Sequence, residues 1–72
     1  MPDAIATSIT LNGDAFPLSA DTPLTALLER LKMRRGRVAV EINREIVPRA
    51  DYDATIVRLG DQVEIINFVG GG

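Results

Sequence analysis

One short run in this chain carries a helical repeat: Leu24, Leu27, Leu28 and Leu31 recur at i, i+3, i+4 and i+7, which places four leucines along one side of an α-helix. Apolar residues elsewhere alternate at period two or fall in short runs closed by Gly, Pro, Asn or Asp, the pattern of strands and turns. At 72 residues there is room for one core, only just large enough to outweigh chain entropy. A single helix with one apolar stripe must then be covered by a sheet made from the remaining segments. A leucine seam for coiled-coil pairing fits poorly, because the repeat lasts about two turns and a coiled coil needs several heptads.

The helix is expected to start at Asp21-Thr22-Pro23, with Thr22 as N-cap and Pro23 in the first helical position, and to end at Gly36 as C-cap. Ahead of it, residues 5–11 put Ile5, Ile9 and Leu11 on one face. Asn12-Gly13 follows, the strongest two-residue hairpin signal, since both central positions of a type I′ turn take positive φ. The return strand, residues 15–19, should carry Phe16 and Leu18 inward. Pro17 has no N–H to donate, which makes this strand short or an edge.

After the helix, residues 37–42 alternate, with Val38, Val40 and Ile42 directed to the core and Arg37, Ala39 and Glu41 outward. Asn43-Arg44 turns the chain into a short strand, residues 45–47, stopped by Pro48. Residues 49–55 read as a loop with a helical turn. Tyr52, Ile56 and Leu59 are expected to cover an open end of the core, the Tyr52 hydroxyl needing a hydrogen-bond partner. Residues 60–69 form a turn and then a strongly strand-forming run. The order is strand, strand, helix, strand, short strand, strand. It suits an α+β layer in which one mixed sheet of four to five strands wraps one helix, the β-grasp arrangement, with the first and last strands side by side in parallel. Residues 1–72 then make one domain, with 1–4 as a loose lead-in and 69–72 as a flexible C-terminal Gly tail.

Composition narrows the chemistry. There are no cysteines and no histidines, which removes disulfides, thiolate chemistry, imidazole catalysis and ordinary zinc sites together. The ten Asp and Glu residues are scattered through turns and polar faces, with no spaced pair inside an apolar run, so the expectation is a chain that is not an enzyme. A formal charge of −2 supplies no field to gather phosphate backbones, and nucleic acid is not an expected partner. The one basic cluster, Arg30, Lys32, Arg34, Arg35 and Arg37, surrounds the end of the expected helix, where cations complement the helix dipole. A contact with an acidic partner or a phosphate is the other reading of it. No apolar run approaches the roughly 20 residues needed to span a bilayer, and no signal segment opens the chain. The expected setting is cytoplasmic, with no membrane contact.

The sequence ends on Gly70-Gly71-Gly72. Glycines lose more backbone entropy on ordering than any other residue, so this run reads as a free tail leaving a rigid strand. From Phe68 to Gly72 the tail can carry a terminal carboxylate roughly 15 Å beyond its anchor. Strand parity adds a surface: with Val63 and Ile65 inward, Gln62, Glu64, Ile66 and Phe68 point outward. Ile66, Phe68 and the adjoining Val69 are then candidate partner contacts. The alternative is that these apolar residues close a rim of the core.

Several pieces together resemble a known family: Leu11-Asn12-Gly13, the helix of residues 22–31, the run Glu41-Ile42-Asn43-Arg44-Glu45-Ile46-Val47-Pro48-Arg49, Gly60-Asp61-Gln62-Val63, and the final Gly71-Gly72. From about Ile9 onward the chain is similar to the ThiS family, the ubiquitin-like β-grasp sulfur carriers of thiamin biosynthesis. The resemblance implies that a ThiF-like adenylating enzyme activates the Gly72 carboxylate with ATP. Sulfur from a donor then displaces AMP, and the resulting thiocarboxylate is consumed by a ThiG-like thiazole synthase. It implies no cofactor bound by this chain, Gly72 as the modified residue, and Gly70, Gly71 and Gly72 as the tail motif. Two other readings stand beside it. One is a carrier like the small subunit of molybdopterin synthase, which ends in the same glycine pair. The other is a non-covalent ubiquitin-like interaction module with an inert tail.

Overall fold

The computed structural model describes residues 7–68; Ile5, the lead-in at 1–4 and the tail at 69–72 lie outside the described residues. In chain order the elements are β1 (Ser8–Leu11), β2 (Asp14–Pro17), β3 (Thr22–Pro23), α1 (Leu24–Arg30), β4 (Val38–Ile42), β5 (Glu45–Val47), β6 (Ile56–Val57) and β7 (Gln62–Asn67), with 3-10 turns at Arg35–Arg37 and Arg49–Ala54. Two tight turns set the registers. Asn12 and Gly13 have φ of 50° and 90°, and Asn43 and Arg44 have 51° and 71°, the paired positive values that a type I′ hairpin requires. The first turn joins β1 to β2 with Leu11 opposite Asp14, and the second joins β4 to β5 with Ile42 opposite Glu45.

Five strands form one sheet in the order β2-β1-β7-β4-β5, and β3 and β6 form a separate antiparallel pair. β1 and β7 run parallel, with Thr10 opposite Gln62, while β4 and β7 run antiparallel. This mixed sheet around one helix is the expected β-grasp arrangement, and Pro17 lies on edge strand β2 as its missing donor requires. The inner face brings Ile9, Val38, Val40, Val63 and Ile65 against Leu24, Leu27 and Leu28 of α1, with Leu18, Tyr52 and Val57 completing the buried core. Leu31, Leu11, Phe16 and Leu59 pack partly buried around it. Tyr52 is buried, and its hydroxyl donates to the Val38 carbonyl at 3.1 Å. The ring therefore closes one end of the core with its polar tip satisfied.

Four sequence expectations are corrected. The helix begins at Leu24, not at Pro23, because Thr22-Pro23 are extended and pair with Ile56-Val57. Thr22 Oγ1 donates to the Ala20 carbonyl and caps nothing, while the Leu24 N–H is satisfied by the Thr55 carbonyl at 2.9 Å. The helix also stops well before Gly36. Lys32 takes φ of 59°; its N–H donates to the Glu29 carbonyl at 3.0 Å, and the Met33 N–H to the Leu28 carbonyl at 2.9 Å. Those are the two bonds of a Schellman motif, here with lysine in the left-handed position, and Gly36 falls in the following 3-10 turn. Finally, Ile56 is 41% exposed and it is Val57 that enters the core, since the β3–β6 pairing sets the parity. The second strand also closes at Pro17 and not at Ser19, though Leu18 is buried as expected.

The last strand is held by side chains as well as by neighbours. Beyond Leu11, β1 gives way to its turn, and the Asn12 amide takes over: its Oδ1 accepts the Ile65 N–H at 2.8 Å and its Nδ2 donates to the Ile65 carbonyl at 3.3 Å. One side chain thus satisfies both main-chain groups of Ile65, as a further strand residue would. Asn43 does a similar job at the start of β7, accepting the Gln62 N–H at 2.9 Å and donating to Asp61 Oδ1 at 3.0 Å. Asp61 in turn accepts the Arg58 N–H at 2.9 Å, closing the turn in which Gly60 has φ of 90°. Both clamping asparagines occupy left-handed turn positions that Asn tolerates better than most residues.

Two stability outcomes follow. Leu27→Ala should cost about 2–5 kcal/mol in denaturant melts, a large share of the roughly 5–15 kcal/mol available to a domain; a loss below about 1 kcal/mol would contradict the burial of this stripe. Asn12→Gly keeps the left-handed turn but deletes both bonds to Ile65. It should cost about 1–3 kcal/mol and speed amide exchange at Ile65, whereas unchanged exchange there would show that the clamp carries no weight.

Candidate functional site

β7 lies in the middle of the sheet, between β1 and β4, so the last described segment is also the most enclosed. Val63 and Ile65 enter the core while Gln62, Glu64 and Ile66 face outward, the parity expected from the alternation. Pairing continues past the strand proper: the Phe68 N–H donates to the Arg37 carbonyl at 2.7 Å. The backbone is therefore held by pairing through Phe68, two residues before Gly70 in the sequence. Val69, Gly70, Gly71 and Gly72 themselves lie outside the described residues.

Of the expected contact residues, Ile66 is 60% and Phe68 52% exposed, so neither closes a core rim. The structure adds a residue that the sequence reading did not single out. Ile46 on β5 is 76% exposed, because Val47 faces inward across from Val40 and leaves Ile46 on the outer face opposite Glu41. Ala39 stands opposite Ile66, and its single methyl leaves a shallow hollow of about 130 Å³ lined by Ala39, Val40, Glu41, Ile46, Glu64 and Ile66. Large apolar side chains grouped on one open sheet face are what a protein partner covers. Parity could have found Ile46, since in Glu45-Ile46-Val47 the residue before an inward Val must point out.

Two members of the basic cluster have partners within the chain. Arg35 pairs with Asp53 at 2.7 Å and lies over the Tyr52 ring at 5.9 Å, and Arg30 lies over Phe16 at 5.4 Å. These cations dress the helix end and shield core aromatics from solvent. Among the described residues there is no group of three or more carboxylate, imidazole or thiol side chains placed to hold a metal ion, and no helix is long and apolar enough to cross a membrane. The arrangement is a rigid handle with an apolar outer face beside the base of a glycine run.

Comparison with protein-family models matches residues 7–72 to the ThiS family. A protein of Paramagnetospirillum magneticum named thiazole synthase is 42% identical over 64 residues, covering 89% of this chain. This chain spans only 20% of that relative's length. The sulfur carrier protein ThiS of Escherichia coli is 36% identical over 64 residues, with 89% of this chain and 97% of the relative covered. The crystal structure of the thiamine biosynthesis protein ThiS of Geobacter metallireducens superimposes with a TM-score of 0.76 at 38% identity, over 90% of this chain and 99% of that one. A match that runs from the first hairpin through the glycine run, together with the shared sheet order and helix, places the chain: it belongs to the ThiS family.

Proposed function

We propose that this protein is a sulfur carrier of thiamin biosynthesis, a protein co-substrate acted on by enzymes, with the Gly72 carboxylate as its working group. The observation that carries the reading is the family match extending through residue 72, at the end of a strand whose backbone is fixed up to Phe68. The E. coli relative carries the name of sulfur carrier.

The chemistry follows from what a carboxylate lacks. Attack of a sulfur nucleophile on it would have to expel oxide, a very poor leaving group. In the proposed sequence a Gly72 carboxylate oxygen attacks the α-phosphorus of ATP and pyrophosphate leaves. Sulfide or its equivalent from a donor then adds to the acyl carbon, and AMP departs with that oxygen, leaving a thiocarboxylate. An acyl adenylate hydrolyses readily, so the step belongs inside an enzyme that excludes water. A tail without Cβ atoms can thread a narrow channel and accept backbone angles closed to other residues. The ATP and the sulfur donor are used by a ThiF-like adenylating enzyme, and this chain binds no cofactor of its own. The consumer is a ThiG-like thiazole synthase, a reading supported by the relatives of that name, in which a stretch similar to this chain makes up a fifth of the length. The outer-face residues Ile66 and Phe68, with Val69, form the docking contacts, and the setting is the cytoplasm.

Incubation with the adenylating enzyme, ATP and a sulfur donor should raise the mass of the chain by about 16 Da at its C-terminus, one oxygen exchanged for sulfur. No gain with a competent enzyme, or a gain that survives deletion of Gly71-Gly72, would overturn the reading. Gly71→Ala should leave the thermal melt unchanged while slowing this conversion, since it adds a Cβ only to the threaded tail.

A further inference from the structure

Asn12 holds two positions that chemistry sets against each other. As the clamp on β7, its amide spans the Ile65 main chain, with Oδ1 2.8 Å from the N–H and Nδ2 3.3 Å from the carbonyl. As the residue before Gly13, it places an electrophilic amide carbon beside a main-chain nitrogen that no side chain shields. Asn43 precedes Arg44 and Asn67 precedes Phe68, so Asn12 alone of the asparagines is followed by glycine. Both residues of the turn are exposed. A Cβ built on Gly13 would meet nothing within 4 Å, and among the described residues the Gly13 N–H donates to no protein group. Glycine also reaches backbone angles closed to other residues, which ring closure onto its nitrogen requires. The nucleophile is therefore uncrowded and open to water. What restrains the reaction is the pair of bonds that keeps the Asn12 amide turned toward Ile65.

We propose that Asn12 is a self-modification site: its amide condenses with the Gly13 nitrogen to a succinimide when the clamp on Ile65 opens, and hydrolysis then removes the clamp irreversibly. The Gly13 nitrogen loses its proton to hydroxide and bonds to Asn12 Cγ. The Cγ–Nδ2 bond breaks, and Nδ2 leaves as ammonia with a proton taken from water. Water then opens the ring on one of two sides. Cleavage between the nitrogen and Cγ leaves aspartate on an unchanged main chain. Cleavage at the main-chain carbonyl carbon of residue 12 leaves isoaspartate, with the chain running through Cβ and Cγ. Nothing is oxidised or reduced. Either product carries one more negative charge than the amide and has lost the donor to the Ile65 carbonyl, so a carboxylate oxygen faces that carbonyl unpaired. The isoaspartate also adds a methylene to a turn whose two positive φ values, 50° and 90°, set the register of β1 on β2. The β1–β7 register ends with Leu11 opposite Val63, so beyond that point a modified chain holds β7 by β4 alone. The inference stands on the fold and is independent of the carrier reading.

The test is incubation of the full chain over days at neutral and mildly alkaline pH, both folded and in denaturant, with Asn12→Gly as the blank. Peptide mass spectrometry should show a gain of about 1 Da, an amide exchanged for an acid, confined to residue 12 and faster at the higher pH. The folded chain should react at least about tenfold more slowly than the denatured one, because the reaction waits for local opening, and Leu27→Ala should react faster than the unaltered chain under folding conditions. A carboxyl methyltransferase specific for isoaspartate should transfer labelled methyl from S-adenosylmethionine to the aged chain and not to aged Asn12→Gly. The acidic form, separated by anion exchange, should show faster amide exchange at Ile65 than the unmodified chain, by a larger factor than at Leu28 in the helix. No mass gain at residue 12 in the folded chain would overturn the site. Equal rates in the folded and denatured chains would overturn its control by the clamp, and unchanged exchange at Ile65 in the acidic form would overturn the release of β7.

Discussion

The structure depends on the last strand lying in the middle of the sheet. β7 pairs in parallel with β1 and antiparallel with β4, so its main chain is occupied on both sides and its inward residues, Val63 and Ile65, are buried. A C-terminal segment is ordinarily where a small domain frays. Here it is locked by two hairpins brought in from either side, each contributing an asparagine that bonds to its backbone. Nothing in so small a core can be loosened without loosening β7. The leucine stripe of α1 shares one buried cluster with Val63 and Ile65 of β7, and Tyr52 ties the 3-10 segment to β4, the neighbour of β7. The main chain is therefore held by pairing through Phe68, the last described residue.

The two faces of the sheet divide the work. The inner face supplies stability, and none of its buried side-chain polar atoms among the described residues lacks a partner. The outer face keeps Ile46, Ile66 and Phe68 exposed and sets Glu41 opposite Glu64. Those choices cost stability and solubility, and they cluster next to the tail. In the proposed mechanism this is the geometry needed by a carrier with no catalytic groups of its own. In that proposal partners grip the outer face, and the tail reaches their active sites.

Much of this was legible in the residues because it is encoded locally. Asn12-Gly13 and Asn43-Arg44 dictate their turns, Leu24 to Leu31 their stripe, and the alternation from Val63 to Phe68 the exposure of Ile66 and Phe68. The errors arose where distant segments overrode local signals. Thr22-Pro23 looks like a helix start, yet the Thr55 carbonyl and the Ile56-Val57 segment draw it into a strand pair. Gly36 looks like a cap, yet Lys32 accepts the left-handed position earlier, because Met33 can then pack back against the core. The Asn12 clamp was invisible for the same reason: its partner, Ile65, is 53 residues away. Ile46 was readable from parity but belongs to a three-residue strand, too short for alternation to stand out. The glycine run was read from composition and from resemblance, and its chemistry rests on those.

The central claim is that the handle serves the carboxylate of Gly72, and growth of a thiamin-requiring strain lacking its own carrier tests it most directly. The account predicts that the full chain restores growth without added thiazole, and that a form lacking only Gly72, equally abundant and with the same melting temperature, does not. Growth restored by the shortened form would contradict it.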